Sequence, residues 1–343
     1  MPQERAASYN NSVKIGLAGL GFMGATHLNA YLNVDGVEVA AVCSENALTR
    51  SADLTGVGGN FHQKREVYDL SSVRKYQNWR ALVEDPEVQA VDVCLPSDLH
   101  ATVAIAALRA GKHVLCEKPM ALSSEDCDRM VAASEKYGRT LMIGQVLRFW
   151  PEYRYLSGFV NEAEYGRIRS ATFVRRCGVP DWSCWLPDES RSGGAVLDLL
   201  SHDIDQALAL FGVPQRVAAK SIGGPDTAMA TLLYPDGPEV RIQGGWFAPQ
   251  TPLSMTFQVR AERAELEWMP RGLRLSDERG QVRDVSAGTA DAYQAEIGYF
   301  VDCCRTRTAP TRCPAQESAL AVKVALLIKR SRAADGQQVE CAV

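Results

Sequence analysis

The sequence predicts an α/β protein of two domains: a doubly wound parallel sheet, then an α+β half built on a large, mostly antiparallel open sheet. Three observations carry this. Apolar strands alternate with helical periods from Val13 to Gln145, the pattern of a parallel sheet covered on both faces. The first strand runs into Gly19-Leu20-Gly21-Phe22-Met23-Gly24 and then into a helix, the local order of a nucleotide-binding turn. From Val217 to Asp284 the chain breaks into short alternating segments separated by Gly, Pro and Asp. Such segments read as antiparallel strands with one face buried and the other free to meet a partner subunit. A length of 343 residues also favours about two domains. We place them at 13–145 and 146–343, behind a flexible tail of residues 1–12.

Taken in order, Val13 to Ala18 is the first strand. In the loop, Gly19 permits the tight turn, Gly21 lets backbone approach a pyrophosphate, and Gly24 lets helix and strand pack closely. Phe22 and Met23 open the helix at its anion-binding end. Val37 to Cys43 is the second strand. At its end, about 20 residues after the glycines, an acidic residue would bind a ribose hydroxyl. Ser44 stands there, with Glu45 next and Arg50 further on. Ser44 with Arg50 suits a 2′-phosphate and Glu45 a free 2′-hydroxyl, so NAD and NADP stay open. Thr55 to Tyr76 shows no clean period and reads as a loop on the rim. Asn78 to Glu84 reads as a short helix.

Val88 to Leu95 is the next strand, closed by Pro96-Ser97. A helix is predicted from Asp98 to its stop at Gly111, with Ser97 as its N-cap. Leu95, Pro96 and Ser97 lie where a strand end meets a cofactor, and His100 on the following turn either meets the cofactor too or serves packing or capping. Lys112 to Met120 (KHVLCEKPM) begins as a strand and breaks at Glu117-Lys118-Pro119, where Pro ends the ladder and fixes an extended turn. A carboxylate and an amine at the end of a sheet strand are well placed to meet cofactor and substrate together. A helix from Ser123 to Tyr137 and a strand ending at Gln145 complete the half.

After Arg148-Phe149-Trp150-Pro151 come a helix, an alternating strand from Ile168 to Arg176, and a loop rich in Trp, Pro and Asp. Gly193-Gly194 opens a helix predicted from Ala195 to Phe211. On it Asp198 and His202 stand four apart and share a face. A carboxylate beside an imidazole fixes its tautomer and raises its basicity, as a general base requires; the same spacing also suits a structural pair that caps or bridges within the core. Asp203 and Asp205 crowd the same histidine. Trp182, Trp185 and Arg176 are candidate linings for a substrate pocket, because flat aromatic faces suit ring-shaped ligands, or they pack the loop onto the sheet. Helices from Asp291 to Cys304 and from Ala315 to Ala334 close the chain.

Composition narrows the classes. Hydrophobic content of 46% and charged content of 23% are those of an ordinary globular protein. A net charge of -4 with no basic run argues against nucleic acid or an anionic membrane as partner. No apolar run reaches membrane-spanning length, and the polar start does not read as a secretory signal. Ten cysteines without a C-x-x-C pair read as reduced core thiols of a cytoplasmic protein, with no metal site.

The ordered set Gly19 to Gly24, Pro96-Ser97-Asp98-Leu99-His100, Ala110-Gly111-Lys112-His113-Val114, Glu117-Lys118-Pro119 and Asp198 to His202 resembles the glucose-fructose oxidoreductase / inositol dehydrogenase / MocA family. The resemblance covers nearly the whole chain, including Tyr293-Gln294-Ala295-Glu296-Ile297. It implies a Rossmann domain followed by a domain whose open sheet forms a homodimer or homotetramer. It also implies hydride transfer between NAD(P) and a secondary alcohol or ketone of a sugar, inositol or related ring. Residue by residue, it implies that Lys118, Asp198 and His202 are catalytic and that Glu117 contacts ribose. Gln145 and Arg148 fall where such proteins contact nicotinamide or substrate, and the Lys118-Pro119 bond is expected to be cis. Ser44 departs from the frequent acidic residue. Two alternatives stay open: a glycosidase or lyase that oxidises its substrate transiently on tightly held NAD, and a nucleotide-binding redox sensor without chemistry.

Overall fold

The computed structural model describes residues 12–45, 57–60, 68–162 and 164–342. Nearly all of the expected tail, and Arg50, lie outside these residues.

The first elements are β1 (Val13–Ala18), α1 (Phe22–Tyr31), β2 (Val37–Cys43), β3 (Arg74–Tyr76), α2 (Trp79–Glu84), β4 (Ala90–Val93), α3 (His100–Arg109), β5 (His113–Glu117), α4 (Ser124–Tyr137) and β6 (Leu141–Gly144). The six strands form a sheet in the order β3-β2-β1-β4-β5-β6, parallel throughout. Ile15, Leu17, Val91, Val93, Leu115 and Cys116 are fully buried, since helices cover both faces of such a sheet. A Cβ on Gly16 would stand 2.8 Å from Leu82 Cδ2, so the missing side chain on β1 is what seats α2. Asn78 caps α2, its side chain accepting the Arg80 N–H at 2.9 Å. Lys112 is buried and donates to the Asp85 and Val88 carbonyls at 2.8 and 2.6 Å, tying the end of α2 to β5. The order reverses between β1 and β4, which opens a crevice at the carboxyl ends of the strands.

Three local expectations are corrected. The rim segment ends in β3, whose Arg-Lys-Tyr sequence has no apolar pattern and which forms only by pairing with β2. Ser97 is not an N-cap: Ser97–Leu99 makes a 3₁₀ turn closed by Leu99 N–H to Pro96 O (2.9 Å), and α3 starts at His100. The predicted helix from Ala195 to Phe211 is two helices.

The later elements are α5 (Pro151–Asn161), β7 (Ile168–Gly178), α6 (Glu189–Ser192), α7 (Gly194–Asp198), α8 (Ser201–Phe211), β8 (Arg216–Lys220), β9 (Asp226–Leu233), β10 (Glu239–Phe247), β11 (Ser254–Ala261), β12 (Ala264–Met269), β13 (Gly272–Asp277), β14 (Val282–Val285), α9 (Ala292–Thr306), α10 (Ala315–Ala333) and β15 (Val339–Glu340). The second sheet has nine strands in the order β14-β13-β12-β11-β7-β10-β9-β8-β15. It is antiparallel except between β7 and β10. Ala171, Phe173 and Arg175 of β7, Val240 and Ile242 of β10, and Phe257 and Val259 of β11 are buried. Their alternates are polar or half-exposed, so one face forms the core under α5, α7 and α8.

The chain forms two compact units. The first comprises the described residues through Ala121 with Glu125–Val146 and Asp291–Gln316; the second comprises Leu122–Ser124, Leu147–Ala290 and the described residues from Glu317 onward. The segment Asp291–Gln316, assigned from sequence to the later half, thus belongs to the first unit, where α9 packs on α1 and β1.

Candidate functional site

In the first unit the glycine loop joins the end of β1 to α1. Gly19 has φ +102°, and a Cβ there would stand 2.3 Å from the Cys94 carbonyl oxygen; one on Gly24 would stand 1.9 Å from the Gly19 oxygen. Both positions therefore exclude any side chain. At Gly21, the N-terminal flank of α1, an added Cβ would meet nothing within 4 Å. No side chain caps that end and no acidic residue stands in its first turn, while Phe22 and Met23 are half-buried. An open, uncapped helix N-terminus with backbone N–H groups outward is a place for phosphate. The cradle fits a dinucleotide. Gly21→Val is expected to keep the fold and weaken NADH or NADPH binding at least about tenfold, the loss of one charge-assisted contact. Gly24→Ala should disturb the fold itself; nicotinamide fluorescence and circular dichroism separate the two.

Ser44 is half-buried beyond β2, its N–H donating to the Tyr76 carbonyl at 3.1 Å, and Glu45 is exposed. Leu95 and Pro96 are half-buried and Ser97 is buried, at the end of β4. His100 is buried with Nδ1 2.8 Å from the Pro119 oxygen and Nε2 2.8 Å from the Leu95 oxygen. Its ring is committed to backbone and is not open to a cofactor, which corrects the expectation for this residue. Two carbonyls would each take an N–H, yet burial drives the pKa below its ordinary value, since neutral carbonyls do not replace the hydration of a buried cation. His100 instead ties the end of β4 to the Glu117-Lys118-Pro119 turn, where the Lys118-Pro119 bond is cis.

Glu117 is buried at the end of β5, and one of its oxygens, Oε2, accepts the Lys118 backbone N–H at 3.0 Å. Lys118 is half-buried and Gln145 is buried one strand over. The loop, Ser44, Leu95 to Ser97, Glu117, Lys118 and Gln145 thus share the carboxyl edge of one sheet, where ligands bind in open α/β folds.

Sequence reasoning missed what stands behind Glu117. His27 of α1 is wholly buried, with Nδ1 2.8 Å from Asp92 Oδ2 and Nε2 3.0 Å from Glu117 Oε1. The second contact is an ion pair whose N–H does not point straight at the oxygen. Tyr31 donates to the same Asp92 oxygen at 2.9 Å. Burial alone would lower the His27 pKa, but the Asp92 charge and hydrogen bond outweigh it and the pKa lies well above its ordinary value. Burial likewise would raise Glu117, yet His27 and Lys118 hold it below the ordinary carboxylate range. Cys94 Sγ stands 3.4 Å from His27 Nδ1; His27, Asp92 and Cys94 bring their donor atoms within 4.8 Å of one another, but burial pushes the thiol pKa up, so the group reads as a hydrogen-bonded network. By linkage, the raised His27 contributes stability in full below its unfolded value of about 6.5 and loses it as pH rises through the folded pKa. The lowered Glu117 contributes in full above about 4.3 and loses it as pH falls through its folded pKa. The signal in the sequence was Asp92, a charge inside an apolar strand, which requires a partner.

In the second unit Asp198 ends α7 and His202 lies in the first turn of α8, both half-buried. They do not share one helix. The Leu199 and Leu200 N–H groups both donate to the Ala195 oxygen at 2.9 Å, and both side chains are buried. Adjacent side chains on a straight helix point about 100° apart, and the break lets both reach the core. Asp203 and Asp205 do not serve His202 as expected. Asp203 takes Arg175 Nε at 2.7 Å and Nη2 at 3.0 Å; Asp205 takes Arg148 Nη2 at 2.6 Å and Nε at 2.8 Å. Arg148, half-buried and also paired with Glu317, clamps α8, so its charge is already committed to two carboxylates. Arg176 is exposed, stacks 4.3 Å over the Phe247 ring, and by strand alternation faces away from the α8-covered side. Trp182 is exposed and Trp185 half-buried in the loop before α6. A cavity of 460 Å³ in this unit, lined by Glu189, Asp226, Thr227, Trp246 and Arg332 among others, contains none of the predicted site residues.

The fold and loop define a class: residues 13–145 match the model of an oxidoreductase family with an NAD-binding Rossmann fold. Residues 153–267 match that family's C-terminal domain, and the chain belongs to the Gfo/Idh/MocA family. It is 31% identical over 57% of its length to inositol 2-dehydrogenase of Salmonella typhimurium, covering 53% of that protein. It is 29% identical over 64% of its length to D-glucoside 3-dehydrogenase of Escherichia coli, covering 58%. The alignments thus span little more than half of these curated relatives. A solved levoglucosan dehydrogenase, in complex with NADH and L-sorbose, shares the fold at a TM-score of 0.82 and 19% identity over 96% of this chain and 99% of that one. Among the described residues no helix is long and apolar enough to cross a membrane.

Proposed function

We propose that the protein is an NAD(P)-dependent dehydrogenase or reductase acting on a secondary alcohol or ketone of a sugar, inositol or related ring. The observation that carries this is Lys118, placed at the end of β5 beside a carboxylate fixed on its own N–H, along the same sheet edge as the open glycine loop. The inositol and glucoside dehydrogenases among the relatives support the substrate class.

When bound, the nicotinamide supplies the hydride acceptor or donor. The backbone N–H groups from Gly21 onward would hold the phosphates, Ser44 and Glu45 would meet the adenine ribose, and Glu117 would meet a ribose. In oxidation His202 takes the hydroxyl proton as the hydride leaves the same carbon. Lys118 donates a hydrogen bond to the developing alkoxide, stabilising charge where it forms. Asp198 supports the imidazolium. In reduction the proton returns from His202 to the carbonyl oxygen. Trp182 and Trp185 remain candidates for ring contacts. Ten cysteines without a C-x-x-C pair support a reducing, cytoplasmic setting.

The test is a panel of sugars, inositols and their keto forms with both NAD and NADP, read by nicotinamide absorbance; no turnover with any ring substrate would sink the reading. The same preparation, sized by light scattering, is expected to be a homodimer or homotetramer built on the exposed face of the nine-stranded sheet, and a monomer at all concentrations would remove that assignment.

A further inference from the structure

We propose that His27 is a positioning residue of the nucleotide site: an imidazolium held between Asp92 and Glu117 that keeps the Glu117 carboxylate ionised and fixed on the Lys118 backbone N–H. This rests on the reading of Glu117 as a cofactor contact.

Asp92 and Leu115 are register partners on β4 and β5, so Cys94 and Glu117, each two residues on, lie on the same sheet face as Asp92. That face meets α1, which brings His27 three residues after Gly24. Asp92 and His27 are fully buried and Glu117 nearly so. Two carboxylates in one dry corner do not both stay ionised without a cation between them, and among the described residues the side chain spanning them is His27, at 2.8 and 3.0 Å. Among the described residues, the groups facing the ring are Asp92 of β4 and Cys94 just after it, Tyr31 from α1, Glu117 of β5 with Lys118 next in the chain, and Tyr293 from α9, whose ring centroid is 6.2 Å away. Glu296 of α9 acts on Tyr293. Of the groups that touch the ring, only Asp92 and Glu117 are carboxylates. His100 makes the contrast: it is equally buried, but carbonyls flank it and its pKa moves down, whereas carboxylates flank His27 and its pKa moves up.

The consequence is that cofactor affinity depends on the charge of a side chain with no route to the cofactor itself. Nitrogen NMR of protein labelled in its five histidines reads the ring directly. The His27 ring is expected to stay doubly protonated from about pH 6 to about pH 8, the span over which an unperturbed histidine loses its proton; a ring neutral at pH 7 overturns the proposal. NADH and NADPH titrations by nicotinamide fluorescence give the second readout. His27→Gln keeps a hydrogen-bond donor without charge. It should weaken binding about tenfold or more, the loss of a charge-assisted hydrogen bond, and bring an acid limb into that pH range as Glu117 takes up a proton. Glu117→Gln should abolish the limb, and His27→Gln added to it should cost little more; losses that simply add mean His27 acts elsewhere and overturn the proposal. Should His27→Gln fail to fold, the ring spectrum of the unaltered protein still decides. If the unaltered protein binds neither NADH nor NADPH, the cofactor reading and this proposal fall together. If it binds with His27 neutral, only this one falls.

Discussion

Lys118→Ala is expected to lower kcat/KM by about 10²–10³, the usual cost of removing one preorganised donor to a developing oxyanion, and His202→Ala by about 10²–10⁴, the range for a lost general base. The loss in both should appear in kcat, because the alkoxide and the transferred proton exist only on the way to the transition state. Cofactor binding should survive, because the phosphate contacts proposed above are backbone N–H groups of the glycine loop and α1, not these side chains. Lys118→Arg should recover only part of the activity, since a planar fork does not place a point charge where an ammonium does. Near-normal turnover in both alanine variants would remove Lys118 and His202 from the chemistry and revive the reading as a nucleotide-binding sensor. Steady-state kinetics beside an NADH titration separates these outcomes.

The second large effect concerns stability and lies at α8. Arg175, 4% exposed, and Asp203, 1% exposed, form a two-pronged pair that also reaches the Tyr153 hydroxyl at 3.2 Å. Arg175→Met leaves the Asp203 carboxylate buried without its cation, and is expected to cost about 3–5 kcal/mol in urea unfolding, the range for breaking one side of a buried ion pair. Asp203→Leu should cost a similar amount. The double replacement should be far milder than the sum, because a well-packed apolar pair escapes the desolvation penalty that an ion pair carries. Additive losses would show that packing, not uncompensated charge, dominates the site. Since Arg175 reaches α8 from β7 and Arg148 reaches it through Asp205, the two arginines hold the helix that bears His202 from two places. Neither needs to touch substrate for its loss to reduce activity.

What was legible in the sequence was local. Strand, glycine turn and helix follow one another within Val13 to Tyr31, so Gly19, Gly21 and Gly24 declare their roles through short-range geometry. The short helix from Asn78 and the Pro119 break were legible for the same reason. What escaped was set by partners distant in the chain. β3 has three residues and no apolar pattern, and only β2 makes it a strand. The parallel pairing of β7 with β10 joins segments about 70 residues apart, beyond what alternation can signal. Asp198 and His202 were rightly read as neighbours in sequence, but spacing along a helix does not foresee the break at Leu199-Leu200. Asp203 and Asp205 looked like tuning groups for His202 because their partners, Arg175 and Arg148, are 28 and 57 residues away. His27 passed as one more residue on a buried helix face. Only Asp92 within Ala90-Val91-Asp92-Val93 carried a visible warning, and a charge in a central strand states that a partner exists without naming it.

Net hydride transfer at a ring carbon is tested most directly by mixing the protein with a turned-over sugar or inositol and excess oxidised cofactor. Substrate loss and nicotinamide absorbance are followed together. One reduced nicotinamide formed per ketone formed is the expected result. Substrate consumed with no net change in absorbance would contradict it, and would show that oxidation on the enzyme is transient and serves an elimination or hydrolysis instead.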